Sequence, residues 1–418
     1  MQVDYTAILE KSVWDLLQYK KNGTIEEVLR IVMEALLKAE QKGFLGYAER
    51  DRKNKVEGNK RNGYRKSGLL KGISNYFRIN VPRDRLGLFK PVFLELMKQE
   101  NEKMNELIFQ LYVKGLTTKD ISQIIQQIYG KYISPSNISI ITNNFEEEMQ
   151  GWLEKPLEEE YYAIYIDVLR IAVRRDNVAK EAFYIVLGLR KDLRREIIGV
   201  YNLPEETKEG WREVIKEIKS RGVKEVLLFI IDEFKEIEWP ILEHFPNTKI
   251  QRCITHKKRN LITKVRLKDR KAILEEFNYI LDMDNPYHNQ KEALKRLEQF
   301  ITKWSKIYPS IGRMFIRKQE YFTYLQFPFG MRRMIYTNNW IETCLRATHR
   351  QGLNNNIKRT IKIRNSFPNP KSALKLVMFK CMEIETHYMK YPITSLLPFK
   401  DKLDAMLNKN NQPVLQTH

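Results

Sequence analysis

Three acidic residues stand where an acid is costly. Asp167 interrupts the apolar run YYAIYIDVLRIAV, which reads as a strand. Asp is disfavoured there, and a carboxylate in such an element has to be paired or metal-bound. Asp232 closes VLLFIID, at the carboxyl end of a buried-type strand, where open sheets place their sites. Glu342 lies in YTNNWIETCLRATHR, and the next acid is Glu383, with nine Lys/Arg in between. Three carboxylates suit hard divalent cations, and two such ions about 4 Å apart can clamp both oxygens of an in-line displacement at phosphorus. The chemistry they point to is therefore phosphodiester cleavage. The plainer readings are that Asp232 caps the next helix and that Glu342 pairs with Arg346 one turn on. Glu233 and Asp176 are rival ligands.

The acids are 65 and 110 residues apart, so the fold has to bring them together. YYAIYIDVLRIAV, EAFYIVLGLR and REIIGVYNL, separated by RRDNVAK and KDLR, read as an antiparallel meander. The helix TKEGWREVIKEIKSRG follows, then the strand EVLLFIID, a helix through KEIEWPILEHF and the strand KIQRC. This βββαβαβ order, closed by a helix, is that of a ribonuclease-H-like mixed sheet. In that topology the strands carrying Asp167 and Asp232 are neighbours, and the Glu342 helix brings a third acid across them. Thr337, Asn338 and Asn339 read as caps for that helix. Residues 254–330 are helical and charged, with no strand to add to the sheet, so they read as an insertion. The chain after Leu397 has little pattern.

Ahead of the sheet the chain changes character twice. Residues 1–45 are balanced in charge and helical, with Thr24 and Glu27 as a capping box. From Arg50 to Lys90 there are thirteen Lys/Arg against three acids, with aromatics between them. RNGYRKSG cannot form a stable helix, so the segment reads as a flexible arm or a small ribbon ending in YFRINVPRDR. Residues 101–150 read as a helix-turn-helix. Thr117 and Asp120 cap its second helix, and Ser134 with Pro135 starts its third. Ser136, Asn137, Ser139 and Thr142 lie early in that third helix, as short polar groups suited to phosphates and base edges.

Composition narrows the partner. The 418-residue chain carries a formal net charge of +21 and is 43% hydrophobic, enough for two or three domains with sizeable cores. The excess positive charge calls for a polyanion, with nucleic acid as the expected partner and a membrane surface as the competing one. No apolar run approaches the roughly 20 residues a membrane helix needs, and the N-terminus does not read as a signal peptide. Three cysteines without a C-x-x-C pair suit a reducing compartment, so the expected location is the cytoplasm.

Seven ordered segments resemble the Mutator-type (MULE superfamily) transposases of bacterial insertion sequences. They are GYRKSGLLKGISNYFRINVPRDR, YVKGLTTKDISQIIQQIYGKYISPSNIS, YIDVLRIAVR, QRCITHKKRN, FITKWSKIYPSI, FPFGMRRMIYTNNWIE and SFPNPKSALKLVMF. The resemblance implies a DDE transposase with Asp167, Asp232 and Glu342 as its catalytic, metal-binding acids. It further implies two Mg²⁺ per active site, with Mn²⁺ as a substitute. The substrate would be transposon ends and target DNA, gripped by a homodimer or higher oligomer. Cys253 and His256 match the family's C-x-x-H motif, whose role stays open between structure and substrate positioning.

The DNA-binding residues expected are Arg61, Tyr64, Arg65, Lys66, Arg83 and Arg85 in the arm, and Ser136, Asn137 and Ser139 in the third helix. Arg346, Arg350, Lys362 and Arg364 would follow the third acid. The domains expected are an N-terminal helical segment (1–45), a DNA-binding region (46–155), a ribonuclease-H-like catalytic domain (156–256 and 331–397), a helical insertion (257–330) and a tail (398–418). IIDEFKEI and WIETCLRATHR depart from the family's usual wording. An inactive or domesticated DNA-binding copy is therefore the alternative.

Overall fold

A mixed sheet organises most of the chain, and its two faces are made differently. The computed structural model describes residues 25–47, 58–67, 70–71, 76–203, 205–234, 236–338, 353–364 and 366–410. The described residues up to Leu107 form one compact unit, and those from Ile108 onward form a second.

In the first unit, helix α1 (Ile25–Leu45) covers a ribbon in which β1 (Arg61–Lys66) pairs antiparallel with β4 (Asn80–Asp84). A short pair, β2 (Leu70–Lys71) and β3 (Tyr76–Phe77), joins them. The basic segment is thus a ribbon rather than a free arm. Its small core is Leu37 packed with Ile79 and Val81. Glu34 fastens the helix by accepting from the Asn80 backbone N–H at 2.7 Å.

The boundary between units falls within α2 (Val92–Val113). Helix α3 (Thr118–Tyr129) opens with the expected capping box of Thr117 and Asp120, and closes on Gly130 in the left-handed region. Helix α4 (Pro135–Asn143) has Ser134 as its cap and proline in its first turn, as expected. Helix α5 (Glu146–Glu154) leads into the sheet.

The meander is present as read: β5 (Glu160–Arg174), β6 (Val178–Arg190) and β7 (Arg195–Asn202) run antiparallel in sequence. Helix α6 (Lys208–Ser220) crosses over to β8 (Glu225–Val226) and β9 (Leu228–Ile231), which lie parallel to β5. Helix α7 (Glu238–His244) crosses over to β10 (Lys249–Arg252), parallel to β9. The sheet order is β10-β9-β5-β6-β7. Successive strand side chains point to opposite faces. Ile164, Ile166, Phe229 and Ile231 take one face and pack against Trp211, Ile215 and Ile218 of α6 and Ile241 of α7. Burying each of these large apolar groups contributes about 1.5–3 kcal/mol. The residues between them face the other layer.

The chain from 254 to 338 is helical, and among the described residues it holds no strand. It comprises α8 (Ile254–Thr263), α9 (Arg270–Leu281), α10 (Gln290–Ser305), α11 (Pro309–Met314) and α12 (Phe329–Ile335). Then come α13 (Leu353–Arg364), α14 (Pro370–Lys390) and α15 (Lys400–Asn410). The last helix departs from the reading of an unpatterned tail. Leu403 and Leu407, one turn apart, are fully buried, and Asp404 accepts from the Tyr162 hydroxyl at 2.6 Å. No helix among the described residues is long and apolar enough to cross a membrane.

Candidate active site

Register alone brings the first two acids together. Ile164 pairs with Phe229 and Tyr165 with Ile230, a constant offset of 65 residues. Carried two residues on, that register sets Asp167 beside Asp232, on the face opposite α6 and α7. Strand β10 continues the row: Arg252 pairs with Ile231, so Cys253 stands beside Asp232. Asp232 and Cys253, the first residues past the ends of β9 and β10, therefore stand level with Asp167 of β5 and form with it one rung of the site. All three are buried, at 1%, 5% and 1% exposure. The backbone supports this geometry at its end, where the Cys253 N–H donates to the Ile231 carbonyl at 2.8 Å.

Two other segments close over the rung. Helix α8 starts at once after Cys253, so its first turn places His256 with Nδ1 2.5 Å from Asp232 Oδ1 and 3.3 Å from Cys253 Sγ. Burial pushes the imidazole pKa down, but the hydrogen bonds and charges of Asp232 and Cys253 outweigh it and raise it to about 11. After α12 the chain crosses the strand ends. There Asn338 Nδ2 donates both to the Ile166 carbonyl (2.9 Å) and to Asp232 Oδ1 (2.8 Å). The Asn338 backbone N–H donates to Cys253 Sγ, and the Thr337 hydroxyl lies beside the same sulfur, each at 3.3 Å. Thr337 and Asn338 are buried partners of the site, and the helix they are expected to cap lies outside the described residues. Asn338 Oδ1 is buried and has no hydrogen-bond partner among the described residues.

The rival acids are disposed of differently. Glu233 forms an ion pair with the buried Lys257, and accepts from the Tyr321 hydroxyl (2.8 Å) and the Asn260 amide. Burial works to raise its pKa, but Lys257 and these donors outweigh it and hold the carboxyl below its ordinary value. Asp176 is exposed in the β5–β6 turn, nine residues or about 30 Å along the strand from Asp167. Neither belongs to the rung. Two buried carboxylates side by side offer hard oxygen donors, a set that fits hard divalent cations. Glu342, with Arg346 and Arg350, lies outside the described residues.

Of the other expected residues, Tyr64, Arg65, Lys66, Arg83 and Arg85 are exposed on the ribbon. Arg65, Arg83, Arg85 and Lys90 line a groove of about 500 Å³ there. Arg61 is half-buried, donating to the Tyr47 carbonyl at 2.6 Å. Ser136 and Asn137 are exposed on α4, and Ser139 is half-buried, donating to the Pro135 carbonyl at 3.1 Å. Thr142 is fully buried beside Lys375 Nζ at 3.2 Å, not open to a base edge. Lys362 is exposed. Arg364 caps the end of α2 by donating to the carbonyls of Gly115 (3.0 Å) and Leu116 (2.5 Å), with its plane over the Tyr112 ring. Gly115 is required there. Its φ is +98°, and a Cβ would come 2.6 Å from the Thr360 carbonyl oxygen.

Comparison with known proteins gives a consistent answer. A transposase for insertion sequence element IS1201 of Lactobacillus helveticus is 31% identical over 91% of this chain and 100% of its own length. A transposase for element IS905 of Lactococcus lactis is 33% identical over 82% of this chain and 84% of its own. A transposase for element IS256 in transposon Tn4001 of Staphylococcus aureus is 28% identical over 93% and 97%. The family profile described as "Transposase, Mutator family" matches residues 3–391. With that profile spanning nearly all of its length, the chain belongs to the Mutator family of transposases.

Proposed function

We propose that the protein is a DDE transposase that binds the terminal inverted repeats of an insertion sequence, cleaves a strand at each end and transfers it to target DNA. The observation that carries the reading is that the strand register sets two buried carboxylates, Asp167 and Asp232, level with each other on one face of the sheet. The strand order, with three antiparallel strands followed by two parallel ones on the near side of β5, supports a ribonuclease-H-like catalytic domain. The proposed domains are those expected from sequence, with residues 156–256 and 331–397 as the catalytic part.

In this reading Asp167, Asp232 and Glu342 hold two Mg²⁺ ions, or Mn²⁺ in their place. Bound, such ions neutralise phosphate charge and make water a strong nucleophile at neutral pH. The protein's own groups do the rest. Asn338 and His256 fix the rotamer of Asp232. The Arg346, Arg350 and Lys362 cations hold the DNA backbone near the acids. Helices α3 and α4 act as a helix-turn-helix presenting Ser136 and Asn137, and the ribbon grips phosphate through Arg65, Lys66, Arg83 and Arg85. The acting species is a homodimer or larger, working on the bacterial nucleoid in the cytoplasm.

The test is Asp167→Asn, assayed on DNA carrying the element's ends. Nicking is abolished while end binding stays near wild type; cleavage at the wild-type rate by this variant would sink the assignment. Binding weakens by about 10³-fold or more between 50 and 200 mM salt if six or more phosphates are contacted.

A further inference from the structure

The rung carries one donor that a hard-cation site does not use. Cys253 Sγ, His256 Nδ1 and an Asp232 oxygen all lie within 4.8 Å of one another. A tetrahedral ion bonded at about 2.0–2.3 Å to such donors spaces them roughly 3.3–3.6 Å apart. The sulfur and nitrogen are already 3.3 Å apart. The nitrogen and oxygen, now 2.5 Å apart, have to open by roughly 1 Å or less to take an ion between them.

The surroundings suit a thiolate. The Asn338 backbone N–H donates to the sulfur at 3.3 Å, with the Thr337 hydroxyl at the same distance. Backbone N–H donors of this kind stabilise metal-bound sulfur. Asn338 Nδ2 holds the Asp232 oxygen in place at 2.8 Å. His256 is part-exposed, and a water is the usual fourth ligand of a site with three protein donors. A cysteine filling core space would need neither an imidazole nor a carboxylate against it. Mixed O, N and S donors select zinc-like ions over Mg²⁺, which takes oxygen alone.

We propose that Asp232, Cys253 and His256 form a site for one thiophilic divalent ion, zinc being the natural occupant, and that Asp232 is shared between this site and the carboxylate site. Loading releases the thiol and imidazolium protons, and a bound ion draws Asp232 away from Asp167. Zinc therefore restrains the strand-cleaving activity. The restraint rests on the DDE reading; the ion site itself does not.

The full chain, stripped with a chelator, is titrated with Co²⁺ as a spectroscopic stand-in for zinc. One equivalent binds with the absorption of a four-coordinate ion and a sulfur-to-cobalt charge-transfer band. Cys253→Ser removes that band, and His256→Ala weakens binding at least tenfold. Asp167→Asn, Cys344→Ser and Cys381→Ser leave the band unchanged. A wild-type chain with no such band, or a band that survives Cys253→Ser, overturns the site. In a second arm, zinc added to Mg²⁺-driven cleavage of end DNA lowers the wild-type rate, and leaves unaltered whatever rate the Cys253→Ser chain shows in Mg²⁺ alone. Equal zinc sensitivity of the two overturns the sharing of Asp232. A normal cobalt spectrum from an Asp167→Asn chain that still cleaves would remove the DDE reading and leave the ion site standing.

Discussion

Lys257 buries its ammonium against the carboxylate of Glu233, the residue next to Asp232. Lys257 is 1% exposed, donates to the Met314 carbonyl at 2.6 Å, and sits over the rings of Phe315 and Tyr321. Of two adjacent acids, one is neutralised by a built-in cation and the other turns toward the rung.

Lys257→Met leaves the Glu233 charge part-buried and uncompensated. Losing one partner of a buried pair costs about 3–5 kcal/mol. The variant's urea midpoint falls accordingly, and Glu233→Gln in the same chain restores much of the loss. If the single variant unfolds like wild type, the pair is not what neutralises Glu233.

Asn338→Ala removes a bridge between β5 and Asp232 while leaving both carboxylates in place. Loss of such a supporting contact costs metal affinity or activity about 10–100-fold. End cleavage falls by that factor, the Mg²⁺ concentration for half-maximal rate rises, and end binding is unchanged. A cleavage rate within twofold of wild type would show that Asp232 holds its rotamer without help.

Arg364 and Lys362 are two residues apart and behave differently. Arg364→Ala uncaps α2 and lowers thermal stability, with the salt dependence of DNA binding kept. Lys362→Ala leaves stability alone and lowers the slope of log K against log salt by about 1, the mark of one lost phosphate contact. Melting curves and filter binding at several salt concentrations separate the two roles. The reverse pattern would return Arg364 to the DNA surface.

Burial pushes the Lys375 ammonium down to about 8. Between pH 8 and the ordinary lysine value of about 10.4, the unfolded chain holds a proton that the folded one has shed, so stability rises with pH across that window. Below pH 8 both states are charged and the burial cost is complete. Lys375→Met removes this rise, worth ~3 kcal/mol at most, so the wild-type advantage of moving from pH 7.5 to 10 vanishes in the variant. Denaturant midpoints at the two pH values measure it. A variant with the same pH dependence as wild type would show Lys375 to be charged throughout.

Much of the sheet was legible because its strands are β-rich apolar runs broken by short polar turns. Asp167 and Asp232 stood out as charges in apolar runs, and turn lengths gave the meander. The caps Thr117 and Ser134 were readable because their partners lie three residues away. The part Asn338 plays in the site was hidden for the opposite reason. Its partners are 106 and 172 residues distant, and nothing local separates an asparagine that caps a helix from one that spans two strands. Arg364 shows the same limit, since nothing local sets a basic residue that binds the Gly115 and Leu116 carbonyls apart from its neighbours in a basic stretch. The tail helix was missed although Leu403 and Leu407 carried its spacing, because two apolar positions in a polar stretch are a weak signal.

The rung is set by the hydrogen-bond ladder and not by the loops that join its strands. Chain length between the acids can therefore change from one relative to another without disturbing their encounter, provided whole loops absorb the difference. A slip of one position within β5 is another matter. It would turn Asp167 into the apolar layer beneath and bring a hydrophobic neighbour up in its place. The result would be a protein that looks intact by shape and is silent toward DNA ends.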